Sequence, residues 1–155
     1  MKQRNALITL LVIFALGILS GCTNKSDTTL NDNAVLDTEH IVNIDKLEIY
    51  HFHPTNQCNS CRAVGAYAEE TVNTYFAEEL KSGKIVFGHI NAQLPENEEL
   101  VKKYEVTGSS LWLGTYTKDG KFLAEQNTNV WYKINNKEDY MSYLKGVIEQ
   151  KLAGN

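Results

Sequence analysis

The stretch Leu47-Glu48-Ile49-Tyr50-His51-Phe52-His53-Pro54-Thr55-Asn56-Gln57-Cys58-Asn59-Ser60-Cys61-Arg62-Ala63-Val64 decides the fold. Its first seven residues are β-favouring and stop at Pro54, and Thr55, Asn56 and Gln57 suit a loop. An amphipathic helical pattern follows, beginning near Ala63. Val64, Ala68, Val72, Phe76 and Leu80 recur every four residues, with Glu69, Glu70, Asn73, Glu78 and Glu79 off that line. Two cysteines therefore sit where a strand gives way to a helix. In a first helical turn the i, i+3 spacing lets the sulfurs meet. The helix N-terminus sets partial positive charge and free N–H groups against the first sulfur, which favours its thiolate. That pattern points to thiol–disulfide exchange, with Cys58 as the attacking thiol and Cys61 as the resolving one. No cofactor is expected beyond the redox-active disulfide Cys58–Cys61 itself.

The remaining cysteine has a separate use. Residues 1–21 read as an export signal: Lys2 and Arg4, an apolar run from Ala6 to Leu19, then small residues. The run is shorter than the ~20 residues that cross a bilayer comfortably. It ends in Leu19-Ser20-Gly21-Cys22, which resembles the lipobox of bacterial lipoproteins. That resemblance implies cleavage before Cys22 and lipid on its sulfur and amine. Cys58 and Cys61 are then the only thiols of the mature chain. Removing residues 1–21 takes away two basic residues and no acid, so the formal net charge moves from −4 to −6. A mildly acidic chain without a basic patch argues against nucleic-acid binding and against adhesion to anionic lipid by charge. The expected location is the extracytoplasmic side of the cell membrane, periplasmic or outer surface. The expected partners are protein dithiols or disulfides of the cell envelope.

Residues 22–43 are polar and without apolar period, as a flexible tether would be. One domain is expected over 44–155. Past Gly83, a natural helix stop, Ile85 to Ile90 is nearly continuous apolar sequence, the pattern of a strand covered on both faces. A short helix is expected across Asn97 to Tyr104, with acids at its start and Lys102 and Lys103 near its end. Leu111 to Tyr116 reads as a strand, Lys118-Asp119-Gly120 as a tight turn, and Lys121 to Glu125 as the returning arm of a hairpin. Asn127 to Asn136 has no clear period. A last helix runs from about Lys137 to Leu152, with Tyr140, Tyr143, Leu144, Val147, Ile148 and Leu152 on one side. The order is β-α-β-α-β-β-α, an α/β arrangement with parallel strand–helix–strand units and an antiparallel edge.

That order, with Cys-x-x-Cys opening the first helix, resembles the thioredoxin-like fold over roughly Ile44 to Leu152. The likeness is carried by the dithiol, by Lys84 to Asn91 and by Lys103 to Leu113. It implies a central mixed β-sheet flanked by helices, and it places Ser110 where thioredoxins carry a cis-proline facing the dithiol. It also leaves the buried acid of thioredoxin's first strand without a counterpart, since His51 or Phe52 falls there. Asn59 and Ser60 match neither the Gly-Pro of reducing thioredoxins nor the Pro-His of strong oxidants. Within the superfamily the chain resembles the nitrophenyl-compound nitroreductase subunit ArsF family of thioredoxin-like lipoproteins, through Glu69 to Phe76 and Asn127 to Ile134. Nothing in the chain reads as a flavin site.

Three function classes remain open on sequence. In the oxidoreductase reading, Arg62 favours the thiolate or is simply a solvated cation. His51 and His53 share one strand face leading toward the dithiol, as bases for a sulfur proton or as ordinary polar residues at a strand end. His89 is expected to be a satisfied core histidine. The competing class is metal or metalloid binding, with Cys58, Cys61, His51 and His53 as two sulfur and two nitrogen ligands for zinc, copper(I) or arsenite. A redox-inert docking module requires a purely structural disulfide. A bridge across two residues gains little chain entropy, which argues for the redox role. Haem attachment is excluded by Arg62, where a c-type site needs histidine. Replacing Cys22 by Ser is expected to release the protein from the membrane fraction or leave it unprocessed; unchanged lipid labelling of that variant would rule the anchor out.

Overall fold

The computed structural model describes residues 43–154. The export signal, Cys22 and nearly all of the tether lie outside the described residues. The domain runs β1 (Ile44–His53), α1 (Asn59–Tyr75), α2 (Ala77–Ser82), β2 (Ile85–Asn91), α3 (Glu98–Lys103), β3 (Ser110–Thr117), β4 (Phe122–Gln126) and α4 (Lys137–Ala153). Short 3₁₀ turns occupy Pro95–Asn97 and Asn129–Tyr132. The sheet order is β2-β1-β3-β4, with β1 parallel to β2 and antiparallel to β3, and β3 antiparallel to β4. This is the thioredoxin-like arrangement, a mixed sheet flanked by helices. Among the described residues no helix is long and apolar enough to cross a membrane.

Alternation along β1 divides the interior. Leu47, Ile49 and His51 face the layer built by α1 and α4. There Val64, Ala68 and Val72 meet Tyr140, Leu144 and Ile148 in one buried core with Leu111 and Leu113 of β3. Each fully buried aliphatic side chain there contributes about 1.5–3 kcal/mol over an exposed one. Tyr140 joins the two helices further, its hydroxyl donating to the Val64 carbonyl at 2.8 Å.

The opposite face of β1 carries Glu48, Tyr50 and Phe52. Tyr104, at the end of α3, packs there with ring centroids 5.6 Å from Tyr50, 5.4 Å from Phe52 and 5.4 Å from Phe122. Its hydroxyl donates to Glu48 Oε2 at 2.9 Å. Gly114, the strand partner of Glu48, makes room for this, because a Cβ at 114 would overlap the Tyr104 hydroxyl. Glu48 also accepts from Tyr116 at 3.0 Å and pairs with Lys46 at 2.7 Å. Burial pushes the Glu48 carboxyl up. The hydrogen bonds from Lys46, Tyr104 and Tyr116, with the charge of Lys103, outweigh that and hold it below its usual range. β1 therefore does bury an acid, but on the face turned away from the dithiol helix.

Three sequence expectations change. The helix begins at Asn59 rather than near Ala63, because Cys58 caps it and a cysteine is not among the usual capping residues. The single long helix is two helices broken at Phe76, whose backbone (φ −132°, ψ 32°) leaves the helical region. The hydrogen-bond ladder nevertheless runs through the break, from Phe76 N–H to the Val72 carbonyl and from Leu80 N–H to the Phe76 carbonyl. Phe76 itself stays buried, and Gly83 in left-handed conformation (φ 76°) ends α2. Among the described residues β2, expected to be covered on both faces, is an edge strand of which only Ile85 is fully buried. Among those residues it has a strand neighbour on one side only.

Candidate functional site

Pro54 ends β1, and the loop to Gln57 brings the chain round so that Cys58 becomes the N-cap of α1 in extended conformation (φ −72°, ψ 165°). Cys58 and Cys61 are joined by a disulfide, with their Cα atoms 5.1 Å apart. The Cys58 sulfur accepts a hydrogen bond from the Cys61 N–H at 3.1 Å. It thus takes the place that a serine or aspartate oxygen fills in an ordinary helix cap. Once the bridge is reduced, that N–H and the partial positive charge of the helix end stabilise a thiolate at Cys58. Cys58 is exposed, whereas Cys61 is 8% exposed. An incoming partner therefore reaches the first sulfur and not the second.

Arg62 is tied into the loop that presents Cys58. Its guanidinium donates to the Gln57 carbonyl at 2.8 Å and to the Asn59 side-chain oxygen. Its charge is held against the two neighbours of Cys58. Ser110 opens β3 and is buried, its hydroxyl donating to the Gly108 carbonyl at 2.9 Å and accepting from the Trp112 indole at 3.0 Å. Neither bond goes to the dithiol.

His51 is 1% exposed and lies under α1. Gly65 is what admits it, since a Cβ at 65 would overlap His51 Nδ1 and fall 2.7 Å from its Cε1 and 2.9 Å from His89 Cε1. Burial, with help from His89 and His53, lowers the His51 pKa from 6.5 to about 4 against a smaller opposing effect of the Cys61 backbone. His53 stacks at 5.3 Å from His51 by ring centroids, and its Nδ1 is engaged with the Pro54 carbonyl at 3.0 Å. In this disulfide form the two sulfurs of the metal reading are bonded to each other, and His53 Nδ1 is engaged with its own loop. Among the described residues no group of three or more His, Cys, Asp or Glu side chains is placed to hold a metal ion.

His89 is not the core histidine expected. It lies on the edge strand with its side chain 37% exposed. Its Nδ1 is 3.1 Å from His51 Nδ1, and its Nε2 is 3.4 Å from Glu69 Oε2, long for a hydrogen bond. Sequence reading missed His89, Glu69 and Gly65 as site residues. The signal for His89 is the parallel register that sets it beside His51, which a single strand does not show. The signal for Gly65 is its place one turn after Cys61 on the buried side of α1.

Fold and site together define a thioredoxin-like domain with a Cys-x-x-Cys disulfide capping its first helix. Among solved structures the chain is similar to the crystal structure of the Trx4 domain of ERdj5, at 17% identity and a TM-score of 0.44, over 72% of this chain and 88% of that one. No protein-family model and no curated protein matches it.

The neutral, buried His51 carries a pH consequence. Its folded pKa lies below 6.5, so on acidification the unfolded chain binds the proton first. The stability it contributes is complete above pH 6.5 and is lost as pH falls toward 4, by roughly 3 kcal/mol. Glu48, also lowered, adds a further loss below its unfolded value of 4.5. Urea midpoints measured from pH 7 to pH 4.5 should fall, and His51→Leu should flatten that fall. A wild-type midpoint constant over this window would show that His51 is not held neutral in the fold.

Proposed function

We propose that the chain is a thiol–disulfide oxidoreductase, anchored by lipid on Cys22 at the extracytoplasmic face of the membrane and acting on protein dithiols or disulfides of the cell envelope. One observation supports the reaction above all: the Cys58–Cys61 disulfide sits on the N-cap of α1 with one sulfur exposed and the other buried. In the reducing direction the Cys58 thiolate attacks one sulfur of a partner disulfide. A mixed disulfide forms, and the other partner sulfur leaves and takes a proton. The Cys61 thiol then loses its proton and attacks the Cys58 sulfur. The internal disulfide forms, the second partner thiol is released, and two electrons have passed to the partner. The oxidising direction runs the same bonds backward.

The site divides these roles physically. The helix end favours the thiolate at Cys58, and exposure lets a partner sulfur approach it in line. Cys61, under the first turn, is shielded from outside disulfides and meets the Cys58 sulfur across only two residues. Within the same proposal we place the chain beside the ArsF-type lipoproteins, on the likeness of residues 69–76 and 127–134. The reaction is assigned to the dithiol because the cysteines account for it without a flavin.

Two single variants test the roles. Cys61→Ser should accumulate mixed disulfides with envelope proteins that dissolve on adding dithiothreitol, because the attacking sulfur remains and the resolving one is gone. Cys58→Ser should trap none and lose exchange with a protein disulfide by several orders of magnitude, as removal of a nucleophile does. Equal trapping by the two variants, or trapping only through Cys61, would overturn the assignment.

A further inference from the structure

β4 (Phe122–Gln126) ends the sheet on one side, and among the described residues no strand lies beyond it. Its ladder to β3 settles which backbone groups are spent. Thr117 N–H donates to the Lys121 carbonyl at 3.0 Å, and Asn127 N–H donates to the Leu111 carbonyl at 2.8 Å. Leu123 and Glu125 are in the same phase, opposite Thr115 and Leu113. The odd-numbered positions therefore turn their N–H and C=O groups toward β3. Phe122 and Ala124 turn theirs outward, away from the sheet. Such an open edge is a template for another strand, and proteins ordinarily blunt it with proline, lysine or a bulge. Phe122–Gln126 holds neither proline nor lysine, and its register with β3 is regular.

Side chains alternate along the same edge. Lys121, Leu123 and Glu125 share the face toward α4, where a groove lined by Leu123, Glu125 and Lys151 stays open. Leu123 is 55% exposed. The side chains of Lys121 and Glu125 are 73% and 65% exposed, and Glu125 gives its Oε2 to Lys151.

Lys121-Phe122-Leu123-Ala124-Glu125 is complementary to its own reversal. Laid antiparallel on a second copy with the two-fold axis at Leu123, it sets Lys121 against the second copy's Glu125, Phe122 against Ala124, and Leu123 against Leu123. Opposite charges meet, a large ring meets a small side chain, and the exposed leucine is covered by its equal. The backbone phase agrees with the side chains. In this register Phe122 and Ala124 exchange hydrogen bonds across the axis. Leu123 falls in a non-hydrogen-bonded pair, where side chains approach most closely. Sliding by two residues either way sets Leu123 against Glu125 or against Lys121, and every one of these matches is lost.

We propose that β4 is a dimerisation edge, on which a second copy of this chain pairs antiparallel about Leu123 to make one sheet continuous through both copies. The contact is isologous, so it closes after two copies. The dithiol takes no part in it, since β3 separates β4 from β1, whose end leads to the Cys58 loop. The paired segment is short of the roughly 20–30 residues a side of a standard interface, so association falls in the micromolar range.

The test uses the full chain in detergent, with Cys58 and Cys61 changed to Ser to remove thiol exchange and with Leu123→Cys added. Cα atoms of a non-hydrogen-bonded pair lie about 4.5 Å apart, within the span of a disulfide. Mild oxidation should give a cross-linked dimer on a non-reducing gel, beyond that of the parent without Leu123→Cys. Gln126→Cys, also exposed but far from the axis, should give no more than the parent. Adding Lys121→Glu or Glu125→Lys to Leu123→Cys sets like charges against each other and should cut the cross-linked fraction roughly tenfold. Mixing those two proteins restores opposite charges on both sides of the axis and should restore the cross-link. A Leu123→Cys protein that stays monomeric overturns the pairing, including one whose new thiol another segment or partner shields from maleimide. Equal cross-linking through Leu123→Cys and Gln126→Cys overturns it as well, and so does a charge-reversed mixture that fails to recover.

Discussion

The close approach of α1 to β1 at Gly65 is the constraint on which the site depends. The missing Cβ lets the helix rest on the His51 ring, and nothing bulkier than hydrogen fits there. That contact buries His51 and sets its pKa low. It also seats Cys61, one turn earlier on the same helix, beneath the first turn, and it leaves Cys58 outside as the cap. The difference between an exposed and a buried sulfur, which separates attack from resolution, thus follows from packing one turn beyond Cys61 and about two turns beyond Cys58. Inserting a methyl group into such a contact forces side chains off their preferred positions or the backbone apart, typically at 1–3 kcal/mol.

The two faces of the sheet do different work. The face toward α1 and α4 is aliphatic and holds the dithiol helix in place, with His51 as its only fully buried imidazole among the described residues. The other face is aromatic and organised around Glu48, which collects two tyrosine hydroxyls and two lysines. Removing either tyrosine hydroxyl leaves a buried carboxylate short of a donor, which costs more than the hydrogen bond itself contributes. Thioredoxins bury an acid in their first strand, and this chain does as well, but alternation along the strand turns Glu48 away from the sulfurs. A histidine occupies the side that faces them.

Much of the architecture was legible because it is periodic. The four-residue repeat from Val64 to Phe76 does line the core, the Asp119-Gly120 turn does close a hairpin, and the strand–helix order does yield parallel β1 and β2. Cys58 and Cys61 were legible because their spacing matches a helical turn. What was not legible depends on neighbours distant in sequence. Whether Ile85 to Ile90 is central or at an edge is decided by strands elsewhere, and so is the exposure of His89. Glu48 reads as the polar member of an alternating strand until Tyr104 and Tyr116 arrive from positions more than fifty residues away. The break at Phe76 carries no glycine or proline to announce it.

The central claim is that the Cys58–Cys61 bridge is an exchange centre rather than a staple. Its reduction potential tests this most directly, read by equilibrating the full chain in glutathione buffers and scoring the oxidised fraction. The account predicts a value between about −270 and −120 mV, the span occupied by disulfide-exchange proteins. A value below about −300 mV, where structural disulfides of secreted proteins lie, would contradict it.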